Sequence, residues 1–100
     1  SKENAFHQIL SPNKHDDGVW IHQNAWFFLG KFNKTQIVTH CTKKPKNGLY
    51  IFVVDGEMVL EKKIYRKKDA VAIQDCSSIS LQVINNAQLL IIDIPMTTTD

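Results

Sequence analysis

The sequence has too little of several residue types to belong to some common protein classes. Only four of its 100 residues are glycine, and it holds no glycine-rich loop that could cradle a phosphate group. Its longest uninterrupted apolar run has six residues, whereas a membrane-spanning helix needs about 20. A formal net charge of +2 is too small to indicate nucleic acid binding by itself. With 43% hydrophobic and 22% charged residues, the composition is instead typical of one ordinary globular domain.

Cysteine is also scarce, with only Cys41 and Cys76 in the chain. Two cysteines do not make a disulfide framework, and we interpret them as reduced thiols of a cytoplasmic protein. A single bridge between them stays open at this point, because a bridge depends on a Cα–Cα distance that spacing in the sequence does not give.

The order of apolar runs and polar breaks predicts the domain organisation. Residues 1–17 are interpreted as an irregular linker or N-terminal arm, since turn-forming residues dominate them. Over residues 18–96, short apolar runs alternate with polar breaks, a pattern typical of an all-β sandwich or barrel of antiparallel strands. Residues 97–100 are assigned to a C-terminal tail. Among the breaks, Asp55-Gly56 predicts a two-residue hairpin turn of type I′, and Asn85-Asn86 predicts a weaker one.

Three of the predicted strands are apolar on both faces. The stretches 25–29, 49–54 and 89–92 lack the alternation expected of an antiparallel strand with one wet face. In a chain of this size only the inner face can be covered by the barrel itself. We therefore expect the outer faces to contact a partner, or else to lie under the N-terminal arm.

The residues that could carry chemistry do not form a known site pattern. The four histidines, at positions 7, 15, 22 and 40, show no metal-binding spacing. His22 and His40 are weak candidates for the barrel interior, although a structural hydrogen bond is the simpler role for His22 and a hydrogen-bonded or solvent-facing position the simpler one for His40. Cys76 has no histidine nearby in the sequence that would activate it as a nucleophile. Asp93 interrupts an apolar strand and is expected to face solvent.

Lysines cluster in two places, within residues 43–46 and 62–68, in or beside predicted turns. A nucleic acid surface usually interleaves aromatic residues with basic ones and uses more arginine than the single Arg66 present here. Both clusters are therefore interpreted as solvated loops, and nucleic acid is an unfavoured partner.

Several stretches of the chain together resemble a known family. Residues 48–60, GLYIFVVDGEMVL, are similar to the first conserved strand pair of a cupin, and residues 67–73, KKDAVAI, to a later cupin segment that precedes a strand. With Ser11-Pro12, residues 21–25 and the closing stretch 89–95, they resemble the C-terminal cupin of pirin-like, quercetinase-type bicupin proteins. The resemblance spans residues 11–96 and implies an RmlC-like jelly-roll β-barrel.

The resemblance further implies that the parent protein has two barrels and that its metal lies in the other one. In this family the N-terminal barrel typically binds a divalent metal, such as iron, copper or nickel, through histidine and glutamate, and some members cleave quercetin. The C-terminal barrel typically lacks these ligands. The family's ligand positions fall here on Leu49, Ile79 and either Lys43 with Pro45 or Thr42 with Lys44.

None of these positions holds a metal ligand of the family, so the resemblance implies a metal-free, non-catalytic barrel. A family ligand position points into the barrel, so Leu49 is expected to point inward. Tyr50, Phe52 and Val54 then point outward, because side chains alternate along a strand. These three residues are the candidate interface, either with the N-terminal cupin of the same chain or with a second copy in a homodimer.

Two other functions stay open from the sequence. The chain could be a stand-alone cupin that binds a small molecule beside Trp26 or Phe28, or a β-barrel module for protein or nucleic acid. The parent's activity is also open, with a quercetin 2,3-dioxygenase-type oxygenase and a regulator as the two forms that the resemblance suggests.

Overall fold

The computed structural model describes residues 4–10, 25–74 and 77–95. These residues form nine β-strands: β1 (Ala5–Leu10), β2 (Trp26–Phe32), β3 (Gln36–Cys41), β4 (Asn47–Asp55), β5 (Glu57–Leu60), β6 (Lys63–Arg66), β7 (Ala70–Ile73), β8 (Ser78–Val83) and β9 (Ala87–Pro95). No helix occurs among them, and hence none that is long and apolar enough to cross a membrane.

The strands pair in antiparallel fashion and build two sheets. One sheet has five strands in the order β1-β2-β9-β4-β7, and the other has four in the order β3-β8-β5-β6. Apart from β1–β2 and β5–β6, strands that follow each other in the described chain lie in different sheets, so the chain passes repeatedly between them as in a jelly roll. The expected all-β class with antiparallel strands is confirmed.

Side chains from the inner faces of the two sheets fill the space between them. On β4, Leu49, Ile51 and Val53 are fully buried, and Tyr50, Phe52 and Val54 lie on the opposite face. Other strands contribute further buried apolar side chains, namely Phe28, Phe32, Met58, Leu60, Leu81, Val83, Ala87, Leu89 and Ile91. Because alternate side chains point inward, each of these strands supplies the core at every second position.

The expectation of an irregular N-terminal arm is wrong for residues 5–10. Strand β1 pairs with β2 at the edge of the five-stranded sheet, with Phe6 opposite Gly30. The Phe6 ring packs edge-to-face against Phe32, with 5.2 Å between ring centroids, and contacts the core. In the sequence this strand has no regular apolar alternation, because the polar residues His7 and Gln8 follow Phe6. Residues 11–24 and 96–100 lie outside the described chain.

The prediction that Asp55-Gly56 and Asn85-Asn86 close hairpins is wrong. Both connections join strands of different sheets, β4 to β5 and β8 to β9. Within each pair of residues only the second has a positive φ, 78° at Gly56 and 64° at Asn86, whereas a type I′ turn needs two. The two connections lie against each other, because a Cβ built on Gly56 would stand 2.7 Å from the carbonyl oxygen of Asn86.

A two-residue hairpin lies instead between β5 and β6, at Glu61-Lys62. Both residues have positive φ, 49° and 67°, as both central residues of a type I′ turn do. Neither residue type favours that conformation, so the sequence held no signal for this turn.

Candidate functional site

Asp93 is a buried acid on the inner face of β9. Its side chain is fully buried, so the expectation that it faces solvent is wrong. The reason is register: Asp93 continues the inward series of Leu89 and Ile91 at every second residue. Directly opposite it on β4 lies Leu49. A buried carboxylate is tolerated only where donors surround it.

Three donors satisfy the Asp93 carboxylate. The amide Nδ2 of Asn47 donates to Oδ1 at 2.7 Å, and the backbone N–H of Lys43 donates to Oδ2 at 2.9 Å. The Nε2 atom of His40 lies 3.3 Å from Oδ2. Asn47, which is itself buried, is the first residue of β4, and Lys43 lies early in the β3–β4 connection. These bonds therefore tie both segments to β9. We call Asp93, Asn47 and His40 the polar cluster.

His40 points inward from β3 and makes a hydrogen bond with Asp93. A carboxylate only accepts, so the hydrogen bond with Asp93 requires the proton on Nε2. The imidazole ring packs edge-to-face on Phe28, at 4.6 Å between centroids, and stands 6.1 Å from Phe6. Its side chain is 9% exposed. Burial, two aromatic rings and one carboxylate together fix the orientation of the ring.

The β3–β4 connection covers this end of the sandwich with lysine side chains. The Nζ atom of Lys43 stands 5.6 Å from the centroid of the Phe28 ring, and Nζ of Lys44 stands 5.8 Å from Trp26. Cations in such positions are attracted by the ring faces. The lysine cluster at residues 43–46 is therefore partly engaged with aromatic side chains, and is more than a solvated loop.

The family's ligand positions do not fit a divalent metal ion. Leu49 is fully buried in the core, and Ile79, half-buried, lies opposite His40 in the β3–β8 register. Hydrocarbon side chains and ammonium groups donate no electron pair to a metal. Over residues 4–10, 25–74 and 77–95, nowhere do three histidine, cysteine or acidic side chains come together.

Cys41 and the second lysine cluster have no part in the polar cluster. Cys41 is exposed and alternates with His40, so it lies on the other face of β3. His22 and Cys76 lie outside the described residues. In the second lysine cluster, Arg66 pairs with Glu57 at 3.3 Å, and Lys63 lies over Tyr65. The polar cluster itself was missed because its members are far apart in the sequence; the single acid inside an apolar strand was the available signal.

The outer face of the five-stranded sheet forms a second candidate site. In the β2–β9–β4–β7 registers its side chains form two rows, Phe27–Ile92–Tyr50–Ala72 and Leu29–Leu90–Phe52–Ala70. Neither row contains a charged residue, and Tyr50 is 40% exposed. Val54 continues the same face of β4. We call these two rows, with Val54, the apolar face.

Comparison with known protein families gives one match, which covers most of the chain. The sequence profile of the quercetinase C-terminal cupin domain matches residues 8–94. A search of curated proteins gave no match.

Solved structures share the fold. The nickel(II) complex of the bacterial pirin YhhW from Escherichia coli superimposes with a TM-score of 0.79 at 22% identity, over 95% of this chain and 41% of that one. The protein YhaK from Escherichia coli gives 0.70 at 19% identity, over 91% and 41%. KdgF from Halomonas sp. gives 0.64 at 12% identity, over 92% and 78%. The chain thus spans about two fifths of the Escherichia coli proteins.

Proposed function

The chain belongs to the quercetinase C-terminal cupin domain family, and from that premise we propose that it is the non-catalytic C-terminal half of a two-barrel protein. In this proposal its apolar face packs against an N-terminal cupin of the same parent chain. Its role is to stabilise and shield that partner barrel, which holds the metal and any active site.

The observation that carries the non-catalytic part is the filling of the barrel interior. Leu49 stands at the family's glutamate position and is fully buried among core side chains. The two inward polar groups nearby, His40 and Asp93, are bonded to each other rather than converging with a third ligand. Catalysis by a metal needs ligands and an open coordination position. The hydrocarbon side chains of Leu49 and Ile79 supply neither a metal ligand nor an open coordination position.

Two observations support the other cupin as the partner on the apolar face. Antiparallel sheets usually present polar side chains to water, whereas the two rows here contain aliphatic and aromatic side chains. A contiguous apolar patch of this kind marks an interaction site. The bacterial pirin that shares this fold is more than twice as long as this chain, since the match covers 41% of it. That length leaves room for a second barrel of similar size.

The parent's activity follows from the same proposal. The bacterial pirin was solved in complex with nickel(II), and we propose that the parent's other barrel binds a divalent metal such as nickel, iron or copper. A quercetin 2,3-dioxygenase-type oxygenase is the activity we assign to that barrel. We place the protein in the cytoplasm, where the exposed thiol of Cys41 would stay reduced.

Metal content and flavonol turnover test the proposal. The 100-residue chain and its full-length parent are dialysed, analysed for metals, and supplied in turn with iron, copper and nickel. We expect flavonol consumption by the parent alone and no stoichiometric metal in the chain. Metal-dependent turnover by the chain would contradict the non-catalytic role, and an inactive, metal-free parent would contradict the activity assigned to the other barrel.

A further inference from the structure

The sandwich has an open seam where its two sheets end beside each other. Strand β1 is one edge of the five-stranded sheet and β3 is one edge of the four-stranded sheet. At one end of the seam, Nε2 of Gln36 donates to Oδ1 of Asn4 at 2.8 Å. Along the rest of it lies a cleft of about 460 Å³, which we call the seam cleft. Small-molecule sites typically have volumes of about 300–1,000 Å³.

The lining of the seam cleft favours an uncharged, planar ligand. Phe6, Phe28 and Val38 supply its apolar wall. Among the described residues that line it, none is a lysine, arginine, aspartate or glutamate. The nearby charges of Lys43, over Phe28, and of Asp93, bonded to His40, are already engaged with those residues. An ionic ligand would therefore lose its hydration without a dedicated partner of opposite charge in the lining, which is costly. Aromatic rings, in contrast, favour contact with the edge or face of another ring.

His40 gives the cleft one oriented hydrogen-bond acceptor. Its Nε2–H is bonded to Asp93, so in the neutral ring Nδ1 is the acceptor. The hydrogen bonds of the described residues give Nδ1 no partner, and no buried side-chain nitrogen or oxygen among them is left unsatisfied. Nδ1 is therefore reached by solvent, on a residue that lines the cleft. Asp93 and Phe28 hold the ring in place, which lowers the cost of binding.

We propose that the seam cleft binds a small, neutral aromatic molecule that donates one hydrogen bond to Nδ1 of His40. This site lies at the seam between the sheets, whereas the packing role described above uses the outer surface of the five-stranded sheet. It does not depend on a metal in either barrel.

A matched pair of probes tests the hydrogen bond directly. 4-Methylphenol carries the donor, and 4-methylanisole has a similar ring without it. Titrations are followed by the ¹⁵N shifts of the His40 imidazole in the 100-residue chain. We expect saturable binding of the phenol with a shift of Nδ1, and affinity for the ether that is about fivefold weaker, as the loss of one neutral hydrogen bond predicts.

Two variants locate the site. Val38→Phe narrows the cleft while His40 and Asp93 keep their own side chains, and should abolish phenol binding. Ile64→Phe is its control, because Ile64 is 47% exposed on β6 and does not line the cleft, and should bind as the parent sequence does. His40→Phe keeps an aromatic ring and should lower phenol affinity to that of the ether.

Three results would overturn the proposal: no saturable shift of the His40 nitrogens, equal affinity for phenol and ether, or undiminished binding by folded Val38→Phe. The test does not depend on His40→Phe being able to fold. In Val38→Phe the Asp93 carboxylate keeps all three of its donors, so that variant is interpretable by itself. A failed metal or flavonol experiment has no bearing on these titrations, so the two proposals fail separately.

Discussion

The outer faces of the two sheets are built for different surroundings. On the four-stranded sheet, outward residues include polar cross-strand pairs: Thr39 and Ser80 share a hydrogen bond of 2.9 Å, and Arg66 pairs with Glu57 at 3.3 Å. One apolar pair, Val59 with Ile64, lies beside them. On the five-stranded sheet, the corresponding outward positions form apolar pairs such as Phe52 with Leu90. Both sheets have the same kind of inner face, since each contributes to one core.

This difference shows which surface the sequence prepares for water. Polar cross-strand pairs are compatible with solvent and add modest stability. Apolar pairs on an outer face gain their full stabilisation only when another surface excludes water from them. Of the two outer faces, that of the four-stranded sheet is therefore the better suited to water, and our proposal is that a partner covers the five-stranded sheet.

The largest effect is expected at Asp93, the one buried acid among the residues that the structure describes. Asp93→Ala leaves the Asn47 amide, the Lys43 N–H and His40 without their acceptor. We expect the free energy of unfolding to fall by about 3 kcal/mol or more, measured by urea denaturation.

Asp93→Asn is the matched control, because the amide keeps one acceptor oxygen in the same volume. We expect it to lose less stability than Asp93→Ala. Equal stability of Asp93→Ala and the unmodified chain would show that the polar cluster contributes nothing to the inner face.

The second effect concerns a corner where the chain passes between the two sheets. Gly56 has φ of 78°, and a Cβ there would stand 2.6 Å from Cα of Ala87, which is backbone and cannot move aside cheaply. Gly56→Ala should lower the free energy of unfolding by about 2 kcal/mol, from strain and a forced backbone shift.

Gly30→Ala is the comparison variant, because Gly30 lies inside strand β2 rather than at a corner between the sheets. Its Cβ would meet the rings of Phe32 and Phe6 at 2.7 Å, but its φ lies outside the left-handed region. Because side chains can shift where backbone cannot, the loss should be smaller than at Gly56. If Gly30→Ala lowered stability more than Gly56→Ala in thermal unfolding, the claim that the corner tolerates a side chain less well would be wrong.

Local chemistry in the sequence was enough for the fold class, and the resemblance to the cupin family supplied the inward face of β4. In residues 49–54 the alternation of side chains follows from the extended backbone alone, and the structure buries Leu49, Ile51 and Val53. Turns were the weak point. Asp55-Gly56 has the residue types of a hairpin turn, but β4 does not pair with the strand that follows it. It pairs with β9 and β7, which lie farther along the chain.

The polar cluster could not be predicted for the same reason. His40, Asn47 and Asp93 come from three strands, and their meeting depends on strand register rather than on any spacing in the sequence. Asp93 was assigned to solvent because an isolated acid is usually exposed. Its burial is explained by its three hydrogen-bond donors, which only the structure reveals.

The third prediction tests the apolar face as a surface for association. The 100-residue chain should self-associate at high concentration through this face, since the proposed partner barrel is missing. Phe52→Ser should weaken that association about tenfold, as the loss of a partly buried aromatic contact predicts.

Ile37→Ser serves as the control on the four-stranded sheet, because Ile37 is the more exposed side chain, at 72%. Sedimentation velocity over a concentration series compares the two variants. If Ile37→Ser weakened association as much as Phe52→Ser, or if the unmodified chain stayed monomeric throughout, the contrast between the two outer faces would lose its functional meaning.

The smallest effect is the coupling within single cross-strand pairs, measured by double-mutant cycles in the monomer at low concentration. For Thr39 and Ser80, replaced by alanine singly and together, we expect a coupling of about 0.5 kcal/mol, since both hydroxyls also bond to water when separated. For Phe52 and Leu90 we expect about 1 kcal/mol, because adjacent apolar side chains shelter each other even without a partner. Addition of the partner barrel should then raise the coupling between Phe52 and Leu90 and leave the coupling between Thr39 and Ser80 unchanged. Equal coupling in both pairs, with and without the partner, would mean that water reaches the two faces alike.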